Sequence, residues 1–238
     1  MKPEPDRVCE FLRETAAEDV LPRFRDLATH HVMEKKPGDL VTIADLEAEA
    51  RLARLLTEHV PGSVVVGEEG VHRDPSLLDK LETDDDLWII DPVDGTQNFA
   101  AGKSPFAIVV AFLRGGRTRC AWIHDPVGAD TAVAEEGGGA WIGRRRLEVA
   151  AGGPIEAMTG LINSNAYGRA HRDAVRPKKA VFREILRYGS AACAFRALAA
   201  GERHFSIYNN LWSWDHAAGV LIHREAGGYT ARVDGAPY

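Results

Sequence analysis

The chain has 238 residues, 45% of them hydrophobic and 27% charged, which excludes disordered, fibrous and disulfide-stapled classes and leaves an ordinary globular protein. Its formal net charge of −6 offers no general attraction to nucleic acid or an anionic membrane surface, so a phosphorylated ligand needs a local positive centre. Cys9, Cys120 and Cys193 fit neither a zinc pattern nor a disulfide framework, and no stretch reaches the ~18 apolar residues of a membrane span; both point to a reducing, cytoplasmic setting.

Helical spacing comes first. Val8, Phe11, Leu12, Val20, Phe24 and Leu27 predict one amphipathic helix, and Leu46, Leu52, Leu55 and Leu56 predict a second. Pro37-Gly38 separates them, Thr42 followed by Asp45 is a start signal, and Pro61-Gly62 closes the second helix. From residue 64 the texture turns to β-branched and aromatic runs at 64–66, 87–90, 106–113 and 117–125, read as strands. Arg114-Gly115-Gly116 joins the last two as a hairpin, which makes the sheet at least partly antiparallel, and Arg144-Arg145-Arg146 reads as a solvated hairpin tip.

Beyond residue 150, a strand at 160–165, a buried helix at 191–201, a strand at 204–208 and a helix from Asp215 to Ala226 are expected. Gly227-Gly228 stops the last helix, and Tyr229-Thr230-Ala231 is strand-like. The segment 152–158 is the expected boundary between an α+β lobe, 1–152, and an α/β lobe, 153–238.

Chemistry concentrates at a few strand ends and helix starts. Asp91-Pro92-Val93-Asp94-Gly95-Thr96 follows a buried strand, and its carboxylates could converge with the Val93 carbonyl on a hard cation, or merely punctuate a turn in water. Gly95 lets backbone approach a ligand, and the Gly95 and Thr96 amides could cradle phosphate if a helix begins there. Glu68 and Glu69 also follow a strand, where a solvated pair is the plain alternative, and Asp84-Asp85-Asp86 reads as a solvated connector. Asp215 starts a helix, a place where an acid needs no reason beyond capping. His204, His216 and His223 have no metal-ligand spacing and read as core or surface residues.

Four blocks in order change the weight of these segments: Asp39-Leu40-Val41-Thr42-Ile43-Ala44-Asp45, Gly67-Glu68-Glu69, Trp88-Ile89-Ile90-Asp91-Pro92-Val93-Asp94-Gly95-Thr96-Gln97-Asn98-Phe99, and Trp214-Asp215-His216-Ala217-Ala218-Gly219. Together they resemble the inositol monophosphatase family, the lithium-sensitive magnesium phosphatases that share a fold with fructose bisphosphatase. The resemblance implies a layered αβαβα sandwich, usually a homodimer, that hydrolyses a small phosphate monoester such as an inositol, polyol or sugar phosphate. It implies two or three Mg²⁺ ions: Glu68, Asp91 and the Val93 carbonyl hold one, Asp91, Asp94 and Asp215 a second, and Glu69 a third through water. Asp45 and Thr96 would orient and deprotonate the attacking water, Gly95 and Thr96 would hold the phosphate, and Ser190, Tyr208 and Asn209 are assigned to the substrate side.

Three positions depart from the family pattern. Tyr208 stands where inositol-specific members have an acid, with Asn209 and Asn210 beside it, so another polyol phosphate, histidinol phosphate or a nucleotide 3′-phosphate stays open. Glu34 falls where the family has a lysine, with Lys35 and Lys36 adjacent, and Gln97 replaces a threonine. A regulatory binding protein that retains the fold is the alternative from another class.

Overall fold

Leu87–Asp94 is buried at every residue, and the fold is built around it. In the computed structural model, residues 2–26, 32–36, 39–162, 177–232 and 234–237 are described. In chain order the elements are α1 (Pro5–Thr15), β1 (Val32–Lys36), β2 (Asp39–Thr42), α2 (Ile43–His59), β3 (Val64–Gly67), α3 (Glu68–Arg73), β4 (Leu87–Asp94), α4 (Thr96–Ala100), β5 (Ala107–Arg114) and β6 (Arg117–Asp125). They continue with β7 (Asp130–Glu135), β8 (Gly139–Ile142), β9 (Arg145–Arg146), β10 (Thr159–Ile162), β11 (Glu184–Leu186), α5 (Ala191–Ala199), β12 (Phe205–Ile207) and α6 (Ser213–Glu225). Leu27, Pro37-Gly38 and the far half of the strand expected at 160–165 lie outside the described residues, as do the side chains of Lys35 and Lys36.

The large sheet runs β3-β4-β5-β6-β7-β8-β9, with β3 parallel to β4 and every later pair antiparallel. Side chains alternate across a strand, so a strand buried on both faces must be apolar at consecutive positions. Trp88 and Ile90 of β4 accordingly join Phe112 and Trp122 against Leu12 of α1 and Leu52 and Leu56 of α2. Leu87 and Ile89 face the other way, into a cluster with Phe195 and Leu198 of α5 and Leu221 and Ile222 of α6. Each large side chain buried in this way contributes roughly 1.5–3 kcal/mol.

A second sheet, β11-β10-β12, is parallel throughout and touches α5 through β12. Among the described residues the layers therefore follow as helices, sheet, helices, sheet. Residues 147–154 carry no helix or strand, and the α5 and α6 that follow cover the large sheet.

Three expectations need amending. The stretch before α2 is a β1–β2 hairpin and not helix; its strands are short and carry Glu34, Lys35 and Lys36, so no apolar period marks them. Tyr229-Thr230-Ala231 forms only an isolated bridge from Ala231 to Pro237. The Asp84–Asp86 connector also does more than face water, because Arg114 clasps both Asp86 oxygens at 2.6 and 2.5 Å.

His124, on β6, is 1% exposed and its Nδ1 lies 2.9 Å from the Thr131 hydroxyl. Burial pushes the ring down to about 4 from its ordinary 6.5. A folded-state value below the unfolded one means that this neutral ring contributes its stability above about pH 6.5 and loses it as pH falls toward 4. Between those pH values the unfolding free energy of wild type should fall by about 3 kcal/mol more than that of His124→Asn, measured by urea titration. Equal slopes would remove His124 from the acid sensitivity.

Candidate metal centre

β4 delivers two carboxylates because its pairing to β5 breaks register between Asp91 and Asp94, after Pro92. Asp91 closes its own turn, its Oδ1 accepting the Val93 N–H at 3.0 Å. Gly95 then adopts φ +100°, a left-handed conformation in which a Cβ would meet Pro105 O and Ser190 Cβ at 3.2 Å, so glycine is required here. α4 begins at the next residue. The Asn98 side chain donates to Pro105 O at 2.7 Å and Tyr188 O at 2.8 Å, which ties the turn to the loop that leads into α5.

Asp94 and Asp215 come together because both meet helix starts. Asp94 caps α5, accepting from Ser190 Oγ at 2.5 Å, Ala192 N at 2.7 Å and Ala191 N at 3.2 Å. Asp215 lies in the first turn of α6, whose N-cap position is Trp212 and not the aspartate. One carboxylate oxygen each from Asp91, Asp94 and Asp215 lie within 4.8 Å of one another. Glu68, the first residue of α3, lines the same cavity with the Val93, Gly95 and Thr96 positions.

Behind this floor stands α2. Asp45 is fully buried, its Oδ2 accepting from Thr42 N at 2.8 Å and Thr42 Oγ1 at 2.5 Å, an arrangement that caps the helix. Its other oxygen accepts from Thr96 Oγ1 at 3.3 Å, and the same hydroxyl lies 3.0 Å from the Val93 carbonyl. Asp45 thus reaches the cavity through Thr96. Glu69 is 2% exposed and does not line the cavity. Sequence reasoning missed Glu49, which accepts from the Glu69 and Gly70 amides at 2.8 and 2.7 Å. The i,i+4 spacing from Asp45 to Glu49, on the helix face that also carries Leu52 and Leu56, was the available signal.

The electrostatics of this cluster call for a cation. Burial, then the charges of Glu68, Asp94, Asp215 and Asp45, hold Asp91 well above the usual carboxylate range. Burial pushes Asp94 up to about 6 even though Ser190, Ala192 and Ala191 hydrogen bonds favour its charged form. The converging carboxylates of Asp91, Asp94 and Asp215 form an all-oxygen donor set that suits a hard divalent ion, and such an ion would relieve the repulsion among them.

Besides the carboxylates, the cavity of about 330 Å³ is lined by Arg187, Tyr208, Asn209 and Asn210. Tyr208 stacks on Phe195 at 5.4 Å and meets His216 edge-on at 4.7 Å. His216 is 3% exposed but also lines this cavity, and burial pushes its ring down to about 4. Ser190 lines the cavity, yet its hydroxyl is engaged with Asp94. A second, more apolar cavity of about 980 Å³ shares Ile162, Ile207, Tyr208 and Asn209 with the first.

Comparison with known proteins points to one family. The sequence profile of the Inositol monophosphatase family matches residues 6–238. An inositol-1-monophosphatase of Mesorhizobium japonicum is 34% identical over 226 residues, covering 89% of this chain and 79% of that protein. The Nus factor SuhB of Vibrio cholerae is 33% identical over 201 residues, covering 82% and 72%. Among solved structures, an IMPase of Thermotoga maritima superposes with a TM-score of 0.83 at 30% identity, covering 98% of this chain and 87% of that one.

Proposed function

The chain belongs to the inositol monophosphatase family and is a phosphoric monoester hydrolase, and from that premise we propose that it hydrolyses a small phosphate monoester at a magnesium centre held by Glu68, Asp91, the Val93 carbonyl, Asp94 and Asp215. The convergence of Asp91, Asp94 and Asp215 within 4.8 Å carries this reading. When bound, such ions lower the pKa of a coordinated water and neutralise phosphate oxygens. Two ions are proposed, and a third if Glu69 contributes through water.

The chain's own residues supply position and proton management. Thr96 has one hydroxyl hydrogen and two nearby acceptors, Asp45 and the Val93 carbonyl. Hydrogen-bonded to the buried Asp45 carboxyl, it can turn a lone pair toward the cavity and accept a proton from the attacking water while passing its own to Asp45. The Gly95 and Thr96 amides are assigned to the phosphate, which the short α4 would meet at its first turn. Ser190 holds Asp94 in register, and Asn209 and Asn210 present two amides to the leaving group beside Tyr208, whose hydroxyl donates to the Ala191 carbonyl at 3.4 Å. Among the described residues Tyr208, Asn209 and Asn210 bring no carboxylate to that side, so inositol is not singled out, and the neighbouring apolar cavity leaves room for a bulkier alcohol such as histidinol or a nucleoside.

Phosphate release from inositol, sugar, histidinol and nucleotide 3′-phosphates should vanish after EDTA treatment, return with Mg²⁺ and fall with Li⁺. Release unchanged by EDTA would overturn the metal reading. The 33% identity to a Nus factor supports a second role in partner binding, which would show as co-purification with a macromolecule that survives Asp94→Asn. A homodimer belongs to the same proposal and is read by sedimentation.

A further inference from the structure

Glu49 lies one helical turn after Asp45 on α2 and is 4% exposed. Its Oε2 accepts the Glu69 N–H at 2.8 Å and its Oε1 the Gly70 N–H at 2.7 Å. Two separate donors need two acceptor atoms; a carboxylate supplies both, whereas a carboxamide would turn an NH₂ toward one of them. Among the described residues Arg73 Nη2 lies 3.7 Å away, on a side chain that is 72% exposed, so water screens this pairing.

The amides it holds immediately follow Glu68. α3 has six residues, too few to be stable without outside contacts, so the direction of its first turn depends on what grips it. Gly67, at the end of β3, completes the grip: a Cβ there would stand 2.3 Å from Glu49 Oε2. The strand end, the first turn of α3 and the Glu49 carboxylate therefore interlock around a single backbone position.

We propose that Glu49 is a positioning residue that sets Glu68 toward Asp91 and Asp94 by fixing the backbone from which Glu68 projects. The inference rests on the reading of Glu68 as a metal ligand. α2 would then anchor both halves of the centre, through Asp45 to Thr96 and through Glu49 to Glu68.

Calorimetric titration of Mg²⁺ into the EDTA-stripped protein tests it without recourse to activity. Glu49→Gln should weaken Mg²⁺ binding about tenfold, the scale on which loss of an outer partner lowers metal affinity. Gly67→Ala, which keeps the carboxylate and displaces it, should weaken binding similarly and serves if Glu49→Gln does not fold. Once Glu68→Gln has removed the ligand, adding Glu49→Gln should cost nothing further, because both act on one interaction. Unchanged affinity in folded Glu49→Gln or Gly67→Ala, with only a lower unfolding temperature, would overturn the proposal, as would an equal loss in the Glu68→Gln background. Wild-type affinity in Glu68→Gln alone would overturn the ligand reading itself.

Discussion

Asp91→Asn is expected to abolish phosphate release while making the metal-free protein harder to unfold. Asp91 is 2% exposed, and four further carboxylates act on it: Glu68, Asp94, Asp215 and Asp45. Its folded-state pKa is raised, so at neutral pH its ionised form opposes folding whenever no cation is present. Asparagine keeps the Oδ1 that accepts the Val93 N–H at 3.0 Å and removes the charge. Relief of this buried repulsion should stabilise the EDTA-treated protein by on the order of 2 kcal/mol, about 4–8 °C in Tm for a chain of this size. Activity should fall roughly 10³-fold or more, as when a preorganised electrostatic partner is removed. Adding Mg²⁺ should reverse the order of stability, since only wild type gains strongly from a ligand that binds the folded state. A variant less stable than wild type in EDTA would show that the carboxylates do not repel one another in the folded chain.

Asp91 also marks what could be read before the fold was seen. The apolar run before it, together with its turn-forming neighbours, announced a strand end, since no solvated strand is apolar at consecutive positions. Whether its carboxylate met others could not be read from that segment, because Glu68 and Asp215 arrive from helix starts far away in the chain; only the order of the blocks joined them. Glu49 escaped for a related reason. Its partners are backbone amides 20 and 21 residues on, and an amide has no letter in the sequence. Asp86 looked like one of three solvated acids until Arg114 was found to clasp it across the β4–β5 pair. Likewise the Ser190 side chain, assigned to the substrate, has its hydroxyl on Asp94, a contact set by how α5 meets the end of β4. Where periodicity was weak, as in the polar β1–β2 hairpin, even the element type was hidden.

The pair Asp45 and Thr96 admits a test in which the two changes should not add. Asp45→Asn can keep an oxygen on the Thr42 N–H, so the start of α2 survives, but it turns an NH₂ toward Thr96 and can no longer take that hydroxyl's proton. Thr96→Val removes the hydroxyl and keeps the shape. Each change alone should lower kcat about 10²–10⁴-fold, the range for loss of general-base assistance, with Mg²⁺ affinity by calorimetry near that of wild type. If the proton travels from water to Thr96 to Asp45, the double variant should be no slower than the slower single one, because either change already breaks the relay. Multiplicative losses would mean that Asp45 and Thr96 act separately, with Asp45 serving the helix start and Thr96 the phosphate. A loss of Mg²⁺ affinity matching the loss of kcat would instead place both residues in metal binding, since the Thr96 hydroxyl also lies 3.0 Å from the Val93 carbonyl.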